Sequence, residues 1–257
     1  MKKIVVMGRG GVGKTSFVAL ITRFFIEIDE TPLLLVDVDP DQNLGEMVGV
    51  DFKEAGKETI SELLIETFIE GGGTTVGVAP SEKMEGRIWA EGLYEGKSFD
   101  MLAVGTKFIE GCYCLPDAAL KRALENLTKT YRYVLIDSPA GLEHLNRRIA
   151  SDVEDIFDLV GPSKKAFNHV MRAHRIAKEV NIQFENFYLV GGYRFPEALE
   201  KRASDTGLQF LGRISYDKKV EDAVLSGESL LELPQDSPAY VSVKEIMQKA
   251  GYSSLKG

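Results

Sequence analysis

The sequence predicts an α/β fold: one mostly parallel, twisted sheet with helices on both faces. Three observations carry this. Short apolar runs alternate with helix-period segments along most of the 257 residues. A glycine-rich turn joins the first apolar run directly to a helix, and two later runs end in aspartate. Strands buried on both faces of a parallel sheet read as unbroken Val, Ile and Leu runs rather than as alternation.

Strands are expected, in order, at 3–7, 32–38, 99–105, 132–138, 155–161, 186–192 and 208–214. Between them, 116–129 places Leu120, Leu124 and Leu127 at helical spacing, with Pro116 in the first turn. Segment 163–180 puts Phe167, Val170, Met171, His174 and Ala177 on one stripe behind Ser163 as N-cap. The C-terminal stretch 240–257 reads as one short amphipathic helix through Val243, Ile246, Met247 and Ala250. Residues 70–98 interrupt the alternation; they are rich in Gly and Glu, hold the only Trp, Trp89, and suggest a short strand around 76–79 followed by a surface excursion. No repeat or linker divides the chain, so one domain is expected over 1–257.

Composition narrows the function classes. With 44% hydrophobic and 27% charged residues the chain can bury a full core. The net charge is −8, and the basic residues fall in scattered pairs, which argues against a nucleic-acid partner. The N-terminal MKKIVVMGRGG is too short for a signal peptide, and no apolar run reaches the length of a membrane span, so a cytoplasmic placement without membrane contact is expected.

The turn GRGGVGKTS, residues 8–16, has the strand before and helix after that a phosphate-binding P-loop requires. Its glycines let successive backbone N–H groups converge on phosphate oxygens at a helix N-terminus. The candidate nucleotide contacts are Gly8, Gly10, Gly11, Val12, Gly13, Lys14, Thr15 and Ser16, with Lys14 on the β/γ-phosphates and the Thr15 hydroxyl on Mg²⁺. VLIDSPAG ends a strand in Asp137, positioned to hold Mg²⁺ through water, and Gly141 can offer an N–H to the γ-phosphate. LLLVDVDPDQNLG ends another strand in Asp37 and Asp39, and a carboxylate there can align the attacking water. The fold expected is therefore a single-domain P-loop NTPase.

GRGGVGKT, DVDPDQNLG and DSPAG together resemble the deviant Walker A ATPases, the MinD/ParA/nitrogenase-iron-protein superfamily, over nearly the whole chain. That resemblance implies ATP and ADP as ligands and a face-to-face homodimer. It also implies a basic residue early in the loop that crosses to the partner's phosphates; Arg9 stands where the family has lysine. It assigns catalytic roles to Lys14, Asp39 and Arg9. Family members read adenine with an Asn after a late strand. Here Gly191 and Gly192 end that strand, which leaves the base to backbone groups or to the loop at Pro162 and Ser163.

The two cysteines, Cys112 and Cys114, flank one tyrosine in GCYC. They can be buried apolar residues, a small strained disulfide ring, or half of a thiolate metal site. A twofold axis through the two loops would complete four ligands. GCYC before the Leu-rich helix, with GLEHL at 141–145, resembles the CooC-type accessory ATPases that insert nickel into carbon monoxide dehydrogenase. The resemblance implies Ni²⁺, with Zn²⁺ as competitor, held by Cys112 and Cys114 at a dimer interface. It also implies a client nickel enzyme of the CO dehydrogenase or acetyl-CoA synthase type, which Trp89 is a candidate to contact. The other reading is a MinD/ParA-like regulatory or scaffold ATPase with a structural or redox cysteine pair.

Overall fold

The computed structural model describes residues 1–70, 78–105, 122–139, 152–179 and 182–253. Eight strands form one sheet: β1 (Lys2–Gly8), β2 (Leu33–Asp37), β3 (Tyr94–Glu95), β4 (Phe99–Ala103), β5 (Tyr133–Asp137), β6 (Asp152–Val160), β7 (Gln183–Gly191) and β8 (Gln209–Arg213). Their spatial order is β3-β4-β2-β5-β1-β6-β7-β8. Every pairing is parallel except β3 with β4. The predicted α/β class and all seven predicted strands are present.

The helices are α1 (Lys14–Glu27), α2 (Asn43–Met47), α3 (Ile60–Ile65), α4 (Pro80–Arg87), α5 (122–128), α6 (Lys164–Glu179), α7 (Glu200–Ser204), α8 (Lys218–Ser226) and α9 (Pro238–Lys249). They divide the core into two layers, one on each face of the sheet. One layer gathers Phe17, Leu20, Ile21, Phe24 and Phe25 of α1 with Tyr240, Val243, Ile246 and Met247 of α9 over Ile4, Val6, Leu33 and Leu35. The other sets Phe167, Val170, Ala173 and Ala177 of α6 and Leu124 and Leu127 of α5 over Val5, Met7, Leu34 and Val36. Each large apolar side chain removed from water contributes about 1.5–3 kcal/mol, so strands such as β2, buried at all five residues, are fixed by packing on both faces. No helix among the described residues is long and apolar enough to cross a membrane.

Several expectations are refined. On α6 the Ser163 hydroxyl accepts the Ala166 N–H at 3.1 Å, as an N-cap should. Met171, however, lies off the buried stripe at 42% exposure; Ala166 and Ala173 occupy the sheet-facing positions instead. The C-terminal helix starts at Pro238 behind Ser237, whose hydroxyl accepts the Tyr240 N–H. Of the strand expected around 76–79, residues 76 and 77 lie outside the described residues, and Val78 forms a single bridge. The rest of that interruption holds α4, the turn Ile88–Gly92 and the two-residue edge strand β3.

Candidate functional site

Strand β1 delivers its last residue, Gly8, into the phosphate loop at φ 144°. A Cβ at Gly8 would sit 2.6 Å from the Leu159 carbonyl oxygen, so the loop leaves the sheet here only because the side chain is absent. Arg9, Gly10 and Gly11 are exposed, Val12 is buried, and Gly13 caps α1 at φ 96° with no side-chain hydrogen bond. No acidic residue lies in the first turn of α1. The first amides and the positive end of the helix are therefore left to an outside anion. Lys14 is buried at 7% exposure, Thr15 and Ser16 are half-buried, and the Ser16 hydroxyl contacts the Met47 sulfur of α2 at 3.6 Å.

Two strand-end carboxylates face this loop. Asp37 and Asp137 are register partners on β2 and β5, and both are fully buried. The Asp37 carboxylate accepts the N–H of Asp39 at 3.0 Å on one oxygen and the N–H of Leu44 at 3.0 Å on the other. It thereby ties down both ends of the loop that leads into α2. Asp137 has no hydrogen-bond partner on either oxygen.

Burial pushes the Asp137 carboxyl up to about 7. The Thr15 hydroxyl and the Lys14 ammonium pull it down, and the Asp39 carboxylate pushes it up. Thr15 is thus near enough to favour the charged carboxylate while falling short of hydrogen-bond geometry. Burial, then repulsion by Asp137, raises Asp37 to about 7 against its two amide hydrogen bonds. Asp39 is half-buried, and one of its oxygens accepts the Asp41 N–H at 3.1 Å. A hard divalent cation suits this set: it needs oxygen ligands, and the two bare Asp137 oxygens beside a threonine hydroxyl supply them.

Beside the loop opens a cleft of about 210 Å³ lined by residues that include Arg9, Gly11, Pro162, Ser163, Gly192 and Tyr193. The expected Pro162 thus meets Arg9 across one cavity. A Cβ on Gly192 would lie 2.5 Å from the Val12 carbonyl oxygen, so the end of β7 abuts the phosphate loop too closely for any side chain, Asn included. The Tyr193 ring instead presses on the loop, 3.2 Å from where a Gly13 Cβ would stand, with the Arg194 guanidinium 5.0 Å from the ring centre.

Gly8, Gly10, Gly11, Val12, Gly13, Lys14, Thr15, Ser16, Asp39, Asp137, Pro162 and Arg9 are brought around one loop. Gly141, Cys112 and Cys114 lie outside the described residues. Trp89 is 37% exposed on the turn Ile88–Gly92. Among the described residues, Glu58, Glu66 and Glu91 converge closely enough to hold a cation, but the Arg87 guanidinium already pairs with all three. Residue-by-residue reading missed Tyr193, Arg194 and the clamp made by Asp37. The strand-end position of Asp37 was the one local signal available for any of them.

The model of the AAA domain family matches residues 1–157. An uncharacterized ATP-binding protein of Methanocaldococcus jannaschii is 32% identical over 249 residues, covering 96% of this chain and 97% of the relative. The carbon monoxide dehydrogenase accessory protein CooC of Rhodospirillum rubrum is 26% identical over 260 residues, covering 92% and 91%. Among solved structures, the MinD cell division protein of Aquifex aeolicus superposes with a TM-score of 0.69 at 21% identity over 98% of each chain. That last likeness is one of fold.

Proposed function

The chain belongs to the AAA domain family of P-loop proteins that its residues 1–157 match, and from that premise we propose that it is a Mg²⁺-dependent ATPase working as a homodimeric nucleotide switch. The observation that carries the reading is the bare, buried Asp137 carboxylate set between Lys14, Thr15 and Asp39. The relative named as ATP-binding, aligned over nearly all of both chains, supports ATP as the nucleotide.

Lys14 and the first amides of α1 bind the phosphates, and the glycine-lined approach leaves the backbone free to wrap them. Mg²⁺, held by Thr15 and Asp137, would supply charge neutralisation at the phosphates. Asp39, carried by the loop that Asp37 clamps, aligns the attacking water. Arg9, exposed at the rim of the cleft, reaches a partner protomer's phosphates. Lys14→Ala should abolish Mg²⁺-dependent ATP hydrolysis, and unchanged turnover in that variant overturns the reading. Arg9→Ala should leave ATP binding intact and weaken ATP-driven dimerisation, read by light scattering.

At the finer level we propose a CooC-type role: Cys112 and Cys114 of two protomers bind one Ni²⁺, with Zn²⁺ as competitor, and pass it to a nickel enzyme of the CO dehydrogenase or acetyl-CoA synthase type. The alignment with CooC over 92% of the chain supports this, as does the chemistry of a thiolate pair that a twofold axis doubles to four ligands. A Cys112→Ser, Cys114→Ser double variant should lose the dimer's single bound nickel or zinc. Retention of one metal per dimer would sink the metal-insertion role and leave the ATPase reading standing.

A further inference from the structure

Asp158 takes no part in the site assembled above. It lies on β6, paired in register with Met7 of β1 and Leu189 of β7, and is completely buried. Neither of its oxygens has a hydrogen-bond partner. Ile156 and Val160, two residues away on the same face of the strand, are core residues. An unpaired carboxylate in such a place costs several kcal/mol, so an apolar side chain would hold the sheet better.

Its position accounts for its presence. The next pair in register, Gly8 with Leu159, is where β1 gives way to the phosphate loop. Lys14 is the charged group that acts on the Asp158 carboxyl, from beyond hydrogen-bond distance. Helix α6, which covers this face, turns Ala166, Phe167 and Val170 to the core, and its His169 feels Arg9 and Arg172 instead. Met7 and Leu189 on the flanking strands are apolar. Asp137 pairs with Val6, the neighbour of Met7, and so lies on the opposite face of the sheet. Lys14 therefore stands between two buried carboxylates, one on each face.

We propose that Asp158 is a positioning residue, a buried counter-charge that acts on the Lys14 ammonium through space, without an ion pair, while the phosphate site is empty and takes up a proton from water when a nucleotide draws that charge away. Burial lifts the Asp158 carboxyl to about 7, and Lys14 pulls it down. Once phosphate oxygens neutralise Lys14 that pull is gone, the carboxyl rises further, and a proton moves from the buffer onto Asp158. An ionised Asp158 also competes with the phosphates for Lys14, so it weakens nucleotide binding when the solution is alkaline and releases that brake when it is acidic. The inference rests on the nucleotide-binding reading above.

The test is calorimetric titration of Mg²⁺–ADP into the wild type, Asp158→Asn and Asp158→Leu, in buffers of different ionisation enthalpy. The wild type should take up more protons than either variant, by a substantial fraction of one per site. Both variants should bind more tightly than wild type at about pH 8, by up to roughly tenfold for one unit of pKa coupling, and converge with it at about pH 6. Equal proton counts and parallel pH profiles overturn the proposal. Should neither variant fold, Mg²⁺-free ADP is titrated into Asp137→Asn, whose metal-site carboxyl no longer titrates: no proton uptake there overturns the proposal, and uptake supports it. A wild type that binds no Mg²⁺–ADP refutes the ATPase reading instead.

Discussion

Asp37 and Asp137 stand opposite each other at the ends of neighbouring strands, equally buried, yet only Asp37 is committed to hydrogen bonds. The two variants should therefore fail differently. Asp37→Asn places an amide NH₂ where a backbone N–H needs an acceptor, leaving Asp39 or Leu44 unpaired at a cost of about 1–3 kcal/mol. Asp137→Asn breaks no hydrogen bond and removes an unpaired buried charge, so its folding stability should match or exceed that of wild type. It should nevertheless lose most of the Mg²⁺-dependent gain in ATP affinity, about tenfold or more. Urea unfolding paired with ATP titrations, with and without Mg²⁺, separates the two.

The same pair sets a pH dependence. Both carboxyls are raised from 3.8 to about 7, so protonation favours the folded state. That stability is fully present below the unfolded value of 3.8 and is lost as pH rises through about 7. The metal-free, nucleotide-free protein should thus show a falling urea midpoint between about pH 4 and pH 7 that levels off above. Asp137→Asn should flatten that fall, because it removes one titrating group and the like charge facing the other. A wild-type midpoint that rises over this window, or a variant as steep as wild type, contradicts the assignment.

Most of the fold was legible because burial on both faces writes itself into the chain as unbroken apolar runs, and β2 is the clearest case. Strand β3 was not, since two residues on an edge carry no run. The phosphate loop could be read because strand, turn and helix are contiguous. The contrast between Asp37 and Asp137 could not, because it depends on a register between residues 100 positions apart and on which amides fold back. Asp158 looks, in DIFDLVG, like a polar break in a strand. Only its pairing beside Gly8 relates it to the loop. Met171 shows the complementary error: helical spacing placed it on the apolar stripe, but α6 turns its alanines to the sheet.

At the opposite end of the sheet from the loop, Tyr252 anchors the chain after α9. Its hydroxyl donates to Asp155, whose other oxygen accepts the Asn186 amide at 2.7 Å, and its ring packs edge-on against Phe25. Tyr252→Phe keeps the ring and removes the hydroxyl, so it should cost about 1.5–3 kcal/mol, the range for a hydrogen bond to a charged group. ATP affinity should not change. A variant that unfolds with the wild-type midpoint would mean that ring packing alone holds this segment.

Gly192 offers the sharpest test of how β7 supports the phosphate loop. A methyl group there would stand 2.5 Å from the Val12 carbonyl oxygen and 2.6 Å from Val12 Cγ2, contacts that no rotamer change at position 192 can relieve. The loop must move, and overpacking of this kind costs about 1–3 kcal/mol. Displacing the loop amides from the phosphates should lower ATP affinity by about tenfold or more. Gly86, inside α4 with nothing within 4 Å of a built Cβ, is the matched control. Gly86→Ala should raise stability by up to about 1 kcal/mol through helix propensity and leave ATP binding alone. If Gly192→Ala binds ATP as wild type does while Gly86→Ala behaves as expected, the close approach of β7 to the loop has no part in holding the nucleotide.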